Sequence, residues 1–409
     1  MKQLCIALRN YADFENALSE EARLFESLHP DVEVKLVSVG IHELYSAAIA
    51  DGGLREGRFD IALIVTDWLA EGLASRALED LHPWQRRLAI PDWPSGWPSS
   101  LVRPVIFGET LSSLPWHDGP ECLVYRSDLF ADPARRAAFR VKFGRDLAPP
   151  VTWEEFEQTS RFFTDPATKL FGTVFAACPD GHNTLYDFVL QLWSRGGELL
   201  DSHGVPQLNT AQAVAALDYY RRIVCDPAAC HPRSVHLDST QSGDVFLDGE
   251  VAMMANWFGF AARAGREGSP LAGKVAIAPI PSAEGLAPIS LSVFWTLGIG
   301  SGSRNKELAW EFLRFIATPE RDLGITRHGT VGVRLSTWRN AGLQAQIPAY
   351  AEIEGISLGA RQLPIGPHMA AFAVILDAVI TRALATTEAT TIILESAQRE
   401  IERKGLKFP

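Results

Sequence analysis

Four tryptophans in this chain of 409 residues sit beside residues that hydrogen-bond or pack: Asp67-Trp68, Trp116-His117, Asn256-Trp257 and Phe294-Trp295. Flat rings cover the C–H faces of a small polar molecule, and neighbouring carboxylates, amides and imidazoles pair with its hydroxyls. Such clusters are therefore expected where a polyhydroxylated ligand is held. Arg9-Asn10 and the run Asp180, His182, Asn183 supply the same donors and acceptors. Each residue also has a plainer use, because rings near strand ends frequently pack into a core or its rim.

The elements expected around these residues give them positions. Residues 3–8, 32–39 and 59–65 read as strands separated by helical patterns over 14–28 and 42–50, the alternation of parallel βαβ units. The third strand is apolar without alternation, so both of its faces are expected to be covered. Arg9-Asn10 and Asp67-Trp68 then fall just past the carboxyl ends of the first and third strands, where open α/β sheets bind ligands. A stretch rich in Pro, Trp, Ser and Gly over 91–120 breaks regular structure and marks a lobe boundary, placing Trp116 and His117 in the break. Further strands are expected at 122–125, 171–176, 275–280 and 293–299. The loop carrying Asp180, His182 and Asn183 follows the second of these, and Asn256-Trp257 and Phe294-Trp295 lie near the crossings. Thr152 with Glu155 three residues on forms a capping box, residues 306–316 form an amphipathic helix ending at Thr318-Pro319, and 367–404 is mostly helical.

Composition narrows the function classes. A chain this long, 47% hydrophobic, has the apolar content for two cores. Lys and Arg total 38 against 49 Asp and Glu, a formal charge of −11 that works against nucleic acid or an anionic membrane surface as partner. No apolar run approaches the roughly 20 residues of a membrane span. The first residues run into a strand without an apolar leader core or a small-residue cleavage site. A periplasmic location with the leader trimmed is expected, with the cytoplasm as the alternative. Five cysteines form no disulfide framework, and for Cys225 and Cys230 a local bridge and free thiols both stay open.

Motifs that resemble catalytic signatures lack their context. Residues 355–359 fit G-x-S-x-G without a buried strand ahead, and the glycines at 298, 300 and 302 read as a turn rather than a dinucleotide loop. Cys225, Cys230, His231 and His236 lack the paired spacing of zinc sites. Glu20-Glu21 and Glu154-Glu155 read as solvated charges at helix starts. No catalytic residue, metal or cofactor is expected.

The order of several segments carries a resemblance: 60–68; Leu-Pro-Trp and its following strand over 114–125 with 127–130; Pro150 to Phe156; 246–254 leading to Trp257; and the strand-helix unit 297–319. In that order the chain resembles family 1 extracellular solute-binding proteins, the sugar-binding receptors of ABC importers. The resemblance implies an α/β, two-lobed periplasmic-binding-protein-like fold of type II, each lobe a mostly parallel sheet flanked by helices and joined by crossing strands. It implies a first lobe of residues 1–112 and 292–328 and a second of 113–291 and 329–409. A carbohydrate, polyol or sugar acid would be captured in the cleft between lobes, with hinge closure and hand-over to an ABC permease in the membrane. Arg334 is similar to an arginine that family members place near the cleft, and with Arg9 it would favour an acidic sugar. A monomer without nucleic acid is expected. The rivals are a cleft enzyme acting on glycosides and a cytosolic ligand sensor of the same fold.

Overall fold

A computed structural model describes residues 1–408. Contacts divide them into two units: Met1–Gly119 with Ser292–Gln344, and Pro120–Leu291 with the chain from Ala345 onward.

The sheet of unit 1 is built from β1 (Lys2–Arg9), β2 (Val32–Val39), β3 (Ile61–Val65), β4 (Leu114–His117) and, from the returning segment, β8 (Trp295–Ile299), in the order β2-β1-β3-β8-β4. β1 pairs in parallel with β2 and β3, while β8 runs antiparallel to both β3 and β4. All five residues of β3 are buried, as its unbroken apolar run requires. Helix α1 (Ala12–Leu28) places Phe14, Ala17, Leu18, Glu21, Ala22 and Phe25 on one buried stripe, which packs on β1, β2 and α5 (Lys306–Ile316). The directions of the strands bring the carboxyl ends of β1, β3 and β4 and the amino end of β8 to one edge, where Trp295 lies opposite both Val65 and His117.

Two stretches expected in the second lobe belong to unit 1. Residues 113–119 do so because β4 completes its sheet, and residues 329–344 do so because Val333, Arg334 and Thr337 bond back to Asp322 in α6 (Pro319–Thr326).

Unit 2 holds β5 (Glu121–Arg126), β6 (Met253–Trp257) and β7 (Val275–Ala278), ordered β6-β5-β7 with antiparallel pairing throughout. The mostly parallel pattern thus describes β1–β3; among the described residues of unit 2, parallel pairing is limited to the two-residue ladder of Ser290–Leu291 with Ala360–Arg361 and to single bridges such as Phe171 with Val251 and Thr173 with Cys230. Residues 171–176 make these bridges instead of a continuous strand. Gly172 lies so close to the Ser160 backbone that a Cβ there would fall 2.0 Å from the Ser160 carbonyl oxygen. Helix α3 (Asn183–Trp193) is buried on every side and packs against α4 (Ala211–Val224) and α8 (Met369–Ala385); α9 (Thr390–Lys404) packs on α8 and α4.

Helix α2 (Trp153–Phe163) starts where the capping box places it. The Thr152 hydroxyl accepts the Glu155 N–H at 3.2 Å, and the Glu155 carboxylate accepts the Val151 N–H at 2.9 Å, one residue before the cap itself. Thr152→Ala is expected to lower stability by about 1 kcal/mol, read as a shifted urea midpoint at constant slope. An unchanged midpoint would show that this cap carries no weight.

Residues 355–359 span the end of α7 (Ile353–Leu358), so Ser357 sits inside a short helix and not on a strand-to-helix elbow. Among the described residues the cysteines are unbridged, and Cys230 Sγ lies 3.1 Å from the Ser234 hydroxyl. No helix of the described residues is long and apolar enough to cross a membrane, and among them no group of three or more His, Cys, Asp or Glu is placed to hold a metal ion.

Candidate functional site

In unit 1 the sheet edge gathers rings and one cation. The Trp68 and Trp295 rings meet edge to face with centroids 5.9 Å apart, and Tyr45 lies 5.4 Å from Trp68. The Arg9 guanidinium stands 5.9 Å from both the Tyr11 and the Trp295 rings, within cation–π range. Asp67 is the middle residue of the turn Thr66–Trp68 that follows β3, and Asn10 is exposed beyond β1. Phe14 underpins the group, touching Tyr11, Trp116, His117 and Trp295 at centroid distances of 4.8 to 5.7 Å. Short βα turns at the end of each strand place these side chains together, the physical reason such edges carry function.

His117 holds the far end of this edge. Its Nδ1 accepts the Val331 N–H at 2.9 Å, and burial, with Arg9's charge as a second cause, pushes its pKa down to about 3. The ring is therefore neutral, with any proton on Nε2. In the unfolded chain histidine titrates near 6.5, so the stability tied to this neutral ring is complete above that pH and is lost as pH falls toward 3. The His117 ring resonances are expected to stay constant between pH 5 and 8 in NMR spectra. A titration midpoint near 6 would contradict the burial of this ring.

In unit 2 the loop before α3 is tied by Asp180, whose carboxylate accepts the N–H groups of His182 and Asn183 at 3.0 and 2.9 Å and the Asn183 side-chain amide. His182 Nδ1 is 3.2 Å from the Tyr186 hydroxyl, and the Tyr186 ring meets the half-buried Trp257 ring at 5.5 Å and 85°. Trp257 ends β6 directly opposite Glu121, the first residue of β5. Glu121 is buried with one carboxylate oxygen lacking a hydrogen-bond partner, and the Asp187 carboxylate accepts the Tyr220 hydroxyl at 2.8 Å.

Besides His117, four of the expected ligand residues are used internally. Phe294, the residue just before β8, is fully buried. Asn256 donates to the Ser242 hydroxyl at 3.0 Å and accepts the Trp257 N–H, bracing the end of β6. Trp116 is buried against Phe14. Arg334, 1% exposed, stacks 4.1 Å from the Trp97 ring, donates to the Ala317 carbonyl at 2.6 Å and pairs with Asp92. Its cation is already taken by protein groups, which removes the reason to expect an acidic sugar from that residue. Conversely, Tyr11, Tyr186, Glu121 and Asp187 join the clusters without having stood out in the sequence. Tyr11 could have been found as the neighbour of Arg9-Asn10, whereas the two acids carry no signal in spacing.

Two α/β units, the first a sheet whose ligand-type side chains collect at one edge, define a periplasmic-binding-protein-like architecture of type II. Maltose-bound T. maritima MalE3 has this fold, with a TM-score of 0.85, 22% identity and coverage of 99% of this chain and 100% of that one. So does a ribitol-bound ABC transporter solute-binding protein of Agrobacterium radiobacter K84, with a TM-score of 0.86, 23% identity and coverage of 98% of each chain. The chain belongs to the bacterial extracellular solute-binding protein family, whose model matches residues 9–321. It is also 27% identical over 292 residues to a probable ABC transporter-binding protein of Deinococcus radiodurans; the match covers 69% of this chain and 64% of that relative.

Proposed function

We propose that this protein is the solute-capturing receptor of an ABC importer, and that its ligand is a sugar or polyol. The observation that carries the reading is the pairing, within each unit, of aromatic faces with hydrogen-bonding groups. Unit 1 has Trp68 and Trp295 with Arg9 beside them, and unit 2 has Trp257 and Tyr186 with His182. Rings suit the C–H faces of a pyranose or an extended polyol, and the polar groups suit its hydroxyls. Two relatives in fold hold maltose and ribitol, ligands of this chemistry. Arg9, Asn10, Asp67, Trp68 and Trp295 from unit 1 and Asp180, His182, Asn183 and Trp257 from unit 2 are the proposed ligand residues. Ligand binding would shift the population toward a bound state that the permease then recognises. Capture without turnover, action outside the cytoplasmic membrane and a single-chain receptor complete the reading.

A thermal-shift screen over sugars, polyols, sugar acids and short peptides tests it. A ligand at about 100 times its Kd adds roughly 2.7 kcal/mol to stability. Stabilisation by a sugar or polyol is the expected result; stabilisation by peptides alone, or release of product from glycosides, would overturn it.

A further inference from the structure

Behind Trp257 lies a pair of carboxyls beside which the described residues place no cation. Glu121 and Trp257 are direct cross-strand partners, so their side chains stand on the same face of the sheet. Glu121 is 4% exposed and its Oε2 has no hydrogen-bond partner; Asp187, 8% exposed, lies next to Tyr186, whose ring abuts Trp257. A buried carboxylate left unpaired costs several kcal/mol, so a site that keeps one is either protonated or completed by something else.

The surroundings in unit 2 are acidic. From α3 Glu121 meets Asp187, and from the preceding loop Asp180 acts on Asp187; from α4 the Tyr220 hydroxyl donates to Asp187, with Cys230 behind it. On β5 itself the neighbour is Cys122, and Ser290 donates its hydroxyl to the Glu121 backbone carbonyl. The nearby Cys178 thiol is pushed up by burial and then by Asp180, Asp238 and Asp377. His182, against the Tyr186 hydroxyl, is the basic residue of this loop. Burial first, and Asp187's charge second, hold the Glu121 carboxyl well above the usual range, and burial lifts Asp187 to about 7 against the Tyr220 hydrogen bond.

We propose that the ligand brings the missing positive charge, as the ammonium of an amino sugar or amino polyol, and sets it against the Trp257 ring and the Glu121–Asp187 carboxyls. Aromatic faces and carboxylates are the two partners that recognise an ammonium in a dry site. This rests on the receptor reading and names the ligand class within it. Seating an ammonium beside the pair favours its ionised form, so binding expels a proton, and affinity rises with pH while the free pair is protonated.

The test is calorimetric titration of the full chain with D-glucosamine against D-glucose and with N-methyl-D-glucamine against D-sorbitol, between pH 6 and 8, in two buffers of different ionisation enthalpy. The amines are expected to bind at least about tenfold tighter than their neutral partners, to tighten by up to roughly tenfold per pH unit below 7, and to release a proton. Glu121→Gln and Asp187→Asn, with folding checked by urea melting, are expected to collapse the amine-to-neutral ratio and the proton release. Neutral sugars binding as well as amines would overturn this inference and leave the receptor standing. A folded Glu121→Gln protein that keeps the full amine preference would overturn it equally. No binding of the amines or their neutral partners, together with no stabilisation by any sugar or polyol of the thermal-shift screen, would overturn both.

Discussion

Trp257→Ala is expected to weaken ligand binding by about 2 kcal/mol or more, roughly 30-fold in Kd, while the protein stays folded. Trp257 ends β6 and is half-buried, so its ring packs on one side and presents area on the other. Tyr186 meets it edge to face, which fixes the indole plane before any ligand arrives. The cost of ordering the ring is thus met in folding, and the contact area is available to binding. Truncation removes a flat face that water cannot replace. Trp257→Phe, which keeps a ring of smaller area, should fall between the two. The measurement is titration calorimetry with the best ligand from the stability screen, alongside a urea melt. Undiminished affinity in a folded Trp257→Ala protein would take away the principal stacking surface of unit 2.

Arg334→Ala is expected to act in the opposite manner, lowering stability by about 2–3 kcal/mol through the lost charged hydrogen bonds and leaving the affinity of the folded protein unchanged. The guanidinium is buried over Trp97, donates to the Ala317 carbonyl and pairs with Asp92. Asp322, buried alongside, accepts the backbone N–H groups of Val333 and Arg334 at 2.9 and 3.1 Å and the Thr337 hydroxyl. Its pKa is raised by burial and restrained by these donors and by Arg334's charge. Removing the cation leaves that carboxyl less compensated and opens space beside Trp97. Arg334→Lys should recover little, because an ammonium lacks the plane with which a guanidinium lies flat on an indole while reaching several acceptors at once. Urea midpoints measure the loss. A strong fall in ligand affinity with unchanged stability would restore Arg334 to the binding residues.

The contrast between these two residues separates what pattern can tell from what packing settles. The strand-helix alternation of unit 1 is legible in the chain itself, because β3 is a run of five apolar residues and α1 carries a buried stripe at helical spacing. So is the start of α2, because a Thr and a Glu three residues on satisfy N–H groups that no helix can satisfy alone. The placing of Arg9, Asp67 and Trp68 at one edge follows in the same way, since strands that run in parallel must share their carboxyl ends.

Which side chains at such ends face outward depends on the folded packing alone. Trp68, expected just past a strand, and Trp116, expected in a break, are both buried in the fold, Trp116 against Phe14 of α1 and Trp68 against Trp295 at the sheet edge. Arg9 ends β1 and Arg334 follows a turn, both positions that sequence alone leaves open, but a distant aspartate and an indole enclose the second. Glu121 and Asp187, far apart in the chain, act on each other's charge only because the fold brings them near. Local propensity and periodicity are set by neighbours a few residues away, so they can be read from the chain. Burial and charge pairing depend on residues that only the fold brings near, and no spacing rule encodes them.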